Sequence, residues 1–198
     1  MNKFFALGAA VATFACAAPA MAQESDHNGG FTFGVVTGYD HVTLATQGEK
    51  GSKDGVLFGA IVGYDQDLGQ ATVGVEAEID GSSVKDSGGN VSLKAGRDIY
   101  VGARAAYVIN PRVSAYAKAG YTNARLRNEY NDGEVVYRYA FNTDGFRLGA
   151  GLEVAVSKPI LARIEYRYSD YGRTYIEGVD TGISMRRHQV VAALVTRF

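Results

Sequence analysis

Apolar side chains alternate with polar or small ones along most of this chain, which is the pattern of β-strands with two unlike faces. Val73, Val75 and Ile79 share one parity, for example, while Gly74 and Glu76 occupy the other. Each alternating segment is long enough to cross a bilayer as a tilted strand, which needs about 9 to 11 residues. Eight such segments cover roughly residues 30–44, 55–66, 71–81, 96–109, 112–127, 136–156, 160–171 and 184–198.

The connections between these segments alternate in length. Short ones, rich in turn residues, lie at 67–69, 110–111 and 158–159. Long ones are expected at 47–54, at 82–94, around 131 and at 172–182. Short turns at one end and long loops at the other are typical of an antiparallel up-and-down barrel. The pattern therefore predicts an all-β, eight-stranded barrel.

The side chains on each face distinguish a membrane barrel from a soluble one, whose apolar face would point inward with the same period. The aliphatic parity carries aromatic residues near the strand ends, so that rings flank an apolar band. Aromatic rings favour the headgroup level of a bilayer, and two such girdles indicate a lipid-facing wall. One girdle is predicted from Phe31, Phe33, Tyr64, Tyr107 and Phe198, and the other from Tyr39, Phe58, Tyr121, Phe146, Tyr166 and Tyr168.

The opposite parity carries charges at membrane depth, and a charge facing lipid there would cost several kcal/mol. These side chains must therefore point into the lumen, where desolvated charges persist when paired. We interpret them as a network that fills and locks the lumen, because eight strands enclose little free section. The alternative is the lining of a narrow channel for ions or small solutes. The set is Glu76, Glu78, Arg104, Lys118, Arg147, Glu153, Arg163, Glu165 and Arg167.

The two ends of the chain indicate export to the bacterial outer membrane. Lys3 precedes an apolar run, and small residues surround Met21, so residues 1–22 are predicted to be a cleaved signal peptide. The barrel domain then spans residues 23–198, with both termini in the periplasm. The last strand ends in Phe198, an aromatic carboxyl terminus that we interpret as the signal read by the barrel-assembly machinery. The remaining expected partners are outer-membrane lipid and lipopolysaccharide.

Composition narrows the range of functions. Without Lys3 the chain has 19 Lys and Arg against 21 Asp and Glu, a net charge of −2 that gives no support to a nucleic-acid partner. Cys16 is the only cysteine and lies in the predicted leader, so the barrel contains neither disulfides nor thiolate metal sites. The 25 Gly, 13 Tyr and 9 Phe fit strands and turns.

The connection between the fifth and sixth segments is the best candidate for recognition. Residues 131–133 (Asn-Asp-Gly) are a hairpin-turn signal, and alternation resumes after them. This predicts a ribbon that projects above the membrane and contacts a host surface, a phage or lipopolysaccharide phosphates. Tyr and Arg are enriched at binding hot spots, although Tyr also belongs to girdles and strand edges. The candidate contact residues are Arg127, Tyr130, Tyr137, Arg138 and Tyr139.

Enzymatic chemistry has weak support. A hydrolase needs a base beside a nucleophile, and the only local pair is His188 with Ser184. Because His188 shares the lipid-facing parity of Phe198, we interpret it as an interfacial surface residue. Glu76 and Glu78 share the inner face, but Arg and Lys from neighbouring strands are expected to pair with them. We therefore predict no enzyme activity, no metal site and no cofactor.

Several motifs resemble those of the small opacity and porin-like outer-membrane barrels of Gram-negative bacteria. They are residues 165–172 (EYRYSDYG), the terminal Arg197-Phe198, and the opening strands at 33–39 (FGVVTGY) and 59–64 (GAIVGY). The resemblance spans the chain after the leader and implies an abundant envelope component or surface antigen without catalytic residues. We expect a structural and surface component of the envelope, with a narrow channel as the first alternative and a loop-mediated adhesin as the second.

Overall fold

The chain folds into long antiparallel strands. The computed structural model describes residues 29–46, 49–88, 91–131, 136–176 and 179–198. Among these residues, no helix has the length and apolar character needed to cross a membrane. The strands are β1 (Gly30–Thr46), β2 (Glu49–Asp67), β3 (Ala71–Ser82), β4 (Lys85–Gly88), β5 (Val91–Asn110), β6 (Val113–Asn131), β7 (Val136–Ser157), β8 (Ile160–Ile176) and β9 (Val179–Arg197).

Eight of these strands close into a barrel. Sequential strands pair antiparallel from β5 to β9, and β1, β2 and β3 form the rest of the wall. The wall closes where β1 pairs with β9, from Thr32 opposite Arg197 to Ala45 opposite Ser184. β3 pairs with β5, and the short β4 pairs with the first residues of β5. The predicted eight-stranded up-and-down barrel is confirmed.

The two faces of the wall differ as the alternation predicted. Along β7, Leu148 and Leu152 are exposed on the outside, whereas the adjacent residues Arg147 and Glu153 are buried on the inside. The Phe31 and Tyr64 rings pack 4.9 Å apart near the periplasmic turns. The outer wall is therefore the apolar surface that a lipid bilayer covers.

The connections on the extracellular side are shorter than predicted, because the strands extend into the predicted loops. Strand pairing continues well above the girdle, so residues 49–54 belong to β2 and residues 91–95 to β5. Likewise, residues 173–176 and 179–182 extend β8 and β9. Outside the bilayer both faces of a ribbon meet water, so backbone pairing persists there without any alternation of side chains for the sequence pattern to detect.

The inner face also contains apolar clusters, which the sequence analysis did not predict. One joins inward residues of β1, β2, β8 and β9, among them Leu57, Ile61 and Val195. A second lies near the extracellular end of the lumen and includes Val42, Leu126 and Met185. The charges therefore occupy one part of the lumen, and aliphatic packing fills another.

Candidate functional site

The lumen holds all nine charged residues that the sequence placed on the inner face. Each of them is at most 5% exposed. They lie on β3, β5, β6, β7 and β8, and their side chains converge because inward positions of a small barrel face one another across a narrow interior. The structure brings these residues together in two layers of ion pairs, and further buried residues form a third layer at the extracellular end.

The periplasmic layer is built around two arginines. Arg104 Nη1 lies 2.5 Å from Asp65 Oδ2, and Arg104 Nη2 lies 3.3 Å from Glu153 Oε2. Arg163 donates from Nε to Glu153 at 2.7 Å and from Nη1 to Glu76 at 2.8 Å. The ring of Tyr116 lies against both guanidinium groups, 4.7 Å from Arg104 and 5.7 Å from Arg163. Each arginine thus bridges two carboxylates.

The middle layer is centred on Lys118, the only lysine among the nine. Its Nζ lies 3.0 Å from a carboxylate oxygen of Glu76 and 3.0 Å from one of Glu165, and it also donates to Glu78. The ammonium group lies 4.9 Å from the ring centre of Tyr100. Three carboxylates from two strands therefore surround one ammonium group that has no exposed side-chain surface.

Two fully buried arginines link the middle layer to the layer above it. Arg147 Nη2 lies 2.7 Å from Asp98, and its Nη1 contacts Glu78 and Asp80 at 3.3 and 3.4 Å. Arg167 lies 2.5 Å from Glu165 through Nε and 2.9 Å from Glu78 through Nη1. Since a guanidinium presents five donors in a fixed fork, each arginine satisfies several acceptors at once.

The extracellular layer was not predicted. Arg187 on β9 joins Asp40 at 2.5 Å to Asp98 at 2.7 Å. The Tyr171 hydroxyl also donates to Asp98 at 2.5 Å. Above these groups lies the apolar cluster with Met185, beside a cavity of about 10 Å³ that has room for about one water molecule. Near this end of the lumen, an aliphatic layer therefore lies over an ion-pair layer.

Sequence reasoning erred on where the partners of Glu76 and Glu78 come from. The neighbours of β3 in the barrel wall are β2 and β5, yet the paired cations lie on β6, β7 and β8. Because the lumen is narrow, long side chains reach across it to strands that are not neighbours in the wall. Ion-pair partners therefore depend on which residues face each other across the lumen. The missed acids had a usable signal, because they share the inward parity of the predicted set: Asp40, Asp65, Asp80 and Asp98.

The outer wall carries small polar clusters that include residues of the extracellular girdle. Tyr39 and His41 both bond to Asp54, at 2.5 and 2.6 Å, and these hydrogen bonds hold the pKa of Asp54 below its usual range. His188 Nδ1 lies 2.7 Å from the Tyr166 hydroxyl. Within the described ranges, no group of three or more His, Cys, Asp or Glu side chains is arranged to hold a metal ion.

The predicted recognition residues lie at the extracellular ends of β6 and β7. The backbone pairs Tyr130 with Tyr137, while Arg138 and Tyr139 lie opposite Glu129 and Asn128. Arg127 is opposite Ala140. The side chains of these five residues, and Asp132 and Gly133 of the turn signal, lie outside the described part of the chain.

Of the two predicted signals at the ends of the chain, only the carboxyl-terminal one lies within the described residues. Phe198 is exposed at the periplasmic rim, and its backbone N–H donates to Phe31 O at 2.9 Å. Its role as an assembly signal stays a prediction. The predicted signal peptide, residues 1–22, lies outside the described residues.

The relatives found by comparison with known proteins are all named outer-membrane proteins. A family model described as "Outer membrane protein beta-barrel domain" matches residues 8–198. The chain is 34% identical over 154 residues to the 25 kDa outer-membrane immunogenic protein of Brucella abortus, covering 77% of this chain and 69% of that protein. It is 32% identical over 111 residues to a 22 kDa outer membrane protein of Rhizobium leguminosarum, covering 55% and 49%.

Solved structures show the same fold at low identity. Neisserial surface protein A superposes with a TM-score of 0.51 at 18% identity, covering 84% of this chain and 97% of that one. The attachment invasion locus protein Ail of Yersinia pestis, in complex with the heparin analogue sucrose octasulfate, gives a TM-score of 0.51 at 14% identity, covering 84% and 99%. The resemblance to small outer-membrane barrels is confirmed.

Proposed function

The chain belongs to the family of outer membrane protein beta-barrel domains, and from this premise we propose that it works as a closed structural and surface component of the envelope. It is an outer-membrane protein, as its relatives are named. Relatives named immunogenic proteins support a surface-exposed barrel. Neither an enzymatic site nor a cofactor is part of this proposal.

The filled lumen is the observation that carries the proposal. Arg147 and Arg167, at 0% and 1% exposure, occupy the middle of the barrel and each contacts carboxylates from more than one strand. An open path through this network would have to separate several ion pairs that join opposite sides of the lumen. The contacts therefore favour a locked interior over the alternative of a narrow channel.

Chemical labelling of the lumen tests the proposal. Ser169 has no exposed surface, and its hydroxyl accepts a hydrogen bond from Arg147 Nε at 2.9 Å. In a chain without Cys16, Ser169→Cys should resist a water-soluble thiol reagent while the barrel is folded in a bilayer and react once urea unfolds it. The matched control is Ser83→Cys, at an exposed position, which should react in both states. Equal labelling of the two folded variants would mean that water and solutes reach the lumen, and the proposal would be wrong.

A second function, recognition through the β6–β7 ribbon, is favoured by the length of this ribbon. Pairing continues from Tyr121 opposite Phe146 at the girdle to Asn131 opposite Val136. At the rise of a β-strand this adds about 30 Å of paired chain beyond the girdle. Such a ribbon presents backbone and side chains to partners outside the cell, which is the requirement for a loop-mediated adhesin.

Removing residues 127–138 tests this second function. We expect loss of attachment to host cells or phage, with the heat-dependent gel mobility of the folded barrel unchanged, because the membrane part of β6 and β7 stays intact. A control with the same residues in scrambled order separates sequence from length. Attachment that survives the deletion would remove the ribbon as the binding element.

A further inference from the structure

A β-bulge interrupts the β5–β6 pairing near the extracellular girdle. Ala95 lies opposite Leu126 and Asp98 opposite Ala124, so Gly96 and Arg97 together face Arg125. A bulge of this kind bends the strand and redirects its side chains. Here it places two arginines side by side on neighbouring strands.

Gly96 allows the close approach that the bulge requires. A Cβ atom at this position would lie 2.6 Å from the carbonyl oxygen of Arg125, nearer than such atoms approach in real structures. Below the bulge, Asp98 and Ala124 are buried and point inward. Arg97 and Arg125 are each one residue away from these positions, so both face outward. Arg97 is exposed and Arg125 is half-buried.

Within the described part of the chain, the two guanidinium groups have no side-chain partner, unlike other polar groups of the outer wall near the extracellular girdle. Neither forms an ion pair or a side-chain hydrogen bond with any residue that the structure describes. On the opposite side of the barrel, Arg186 Nε lies 3.3 Å from Asp170, and His41 lies 2.6 Å from Asp54. Like charges directly opposite each other on paired strands destabilise a sheet. An anion between the two arginines would remove this repulsion.

An aromatic ring and an amide side chain lie beside the two arginines. Gly81 lies opposite Arg97 on the β3 side, and a Cβ there would touch the Phe58 ring at 3.2 Å. Asn142 lies opposite Arg125 on the β7 side and is exposed. The arginines are thus flanked by a residue without a side chain on one strand and by an amide on another.

From this geometry we propose that Arg97 and Arg125 form a binding site for the phosphate group of a lipid in the outer leaflet. A guanidinium binds phosphate through two parallel hydrogen bonds, and two guanidinium groups provide a clamp. The girdle residues Phe58 and Tyr121 put the site at the headgroup level, where an arginine on the lipid-facing wall costs about 0–1 kcal/mol. The inference rests on the membrane position of the barrel and does not require a closed lumen.

A lipid phosphate fits this position better than free phosphate does. Both side chains start from the lipid-facing parity, so the site opens sideways to the bilayer. Ile99, two residues along β5 from Arg97 on the same outer parity, extends the wall toward the acyl chains. A headgroup held here has its acyl chains against the apolar wall, which adds hydrophobic burial to the ionic contacts.

The test is lipid binding to the refolded chain in detergent micelles, measured by native mass spectrometry with diphosphorylated lipid A as the probe. Arg97→Gln combined with Arg125→Gln should weaken binding by about tenfold or more, because two charge-assisted contacts are lost. Lipid A without phosphate groups should bind the original chain and the double variant equally weakly. The matched control is Arg186→Gln, which removes an exposed arginine that is already paired with Asp170 and should leave lipid A binding unchanged.

Three results would overturn the site. These are unchanged lipid A binding in the double variant, an equal loss in Arg186→Gln, and competition by millimolar inorganic phosphate as effective as competition by the lipid. Arg97→Lys with Arg125→Lys keeps both charges while losing the fork, and we expect intermediate binding if the contact is bidentate. Both arginines lie outside the lumen, so all variants should keep the gel mobility of the folded barrel.

Discussion

At the residue scale, the interior depends on a few cations that each serve several acids. Lys118 is the clearest case, since its ammonium group lies among Glu76, Glu78 and Glu165. A buried ion pair adds little stability compared with a well-packed apolar pair, but removing one partner leaves an uncompensated buried charge. The lumen is therefore more sensitive to losing Lys118 than to losing a surface charge.

Lys118→Met should lower the free energy of unfolding by about 3–5 kcal/mol, because three buried carboxylates lose the ammonium group that they share. Urea titration of the folded barrel in lipid measures this change. Lys50→Met, at an exposed position in β2, is the matched control and should change the stability by less than about 0.5 kcal/mol. Adding Glu78→Gln to Lys118→Met should restore part of the loss. An unchanged urea midpoint in Lys118→Met would contradict the assigned network.

At the element scale, each strand separates a lipid-facing row from a lumen-facing row. β7 shows this from residue 142 to residue 156, with Leu152 exposed between the two girdles and Val156 exposed near the periplasmic end. Depth in the bilayer, and not exposure alone, sets how a charged substitution on the outer row is tolerated.

Leu152→Arg should cost about 2–4 kcal/mol of folding free energy in a bilayer, whereas Val156→Arg, on the same face of the same strand, should cost about 0–1 kcal/mol. Both side chains are exposed on the outer wall, so differences in packing do not explain such a contrast. Equilibrium unfolding in lipid vesicles measures both values. Equal costs at the two positions would show that the membrane boundaries are misplaced.

The sequence predicted the strands where the bilayer forces two faces to differ and missed them where it does not. Leu148 and Arg147 alternate because one meets lipid and the other meets the lumen, and this alternation located β7. Residues 173–176 carry no such pattern, and their pairing follows from the backbone alone. Ion-pair partners were less predictable, because Lys118 reaches Glu76 across the lumen and sequence parity gives the face but not the partner.

At the scale of the whole molecule, the barrel combines an apolar outer wall with an interior of ion pairs and aliphatic clusters. Arg187 links Asp40 of β1 to Asp98 of β5, so side chains connect walls that share no backbone hydrogen bonds. Such cross-links resist deformation of the barrel and leave the extracellular ends of the strands as the part that faces other molecules.

The most direct test of this account is the single-channel conductance of the refolded barrel in a planar bilayer at low and high salt, with a large porin inserted as a positive control. A closed, ion-paired lumen predicts no discrete current steps under either condition, although the protein is folded by gel mobility. Reproducible steps whose size scales with salt would contradict it, and would make Arg147, Arg167 and Glu78 part of a conducting path.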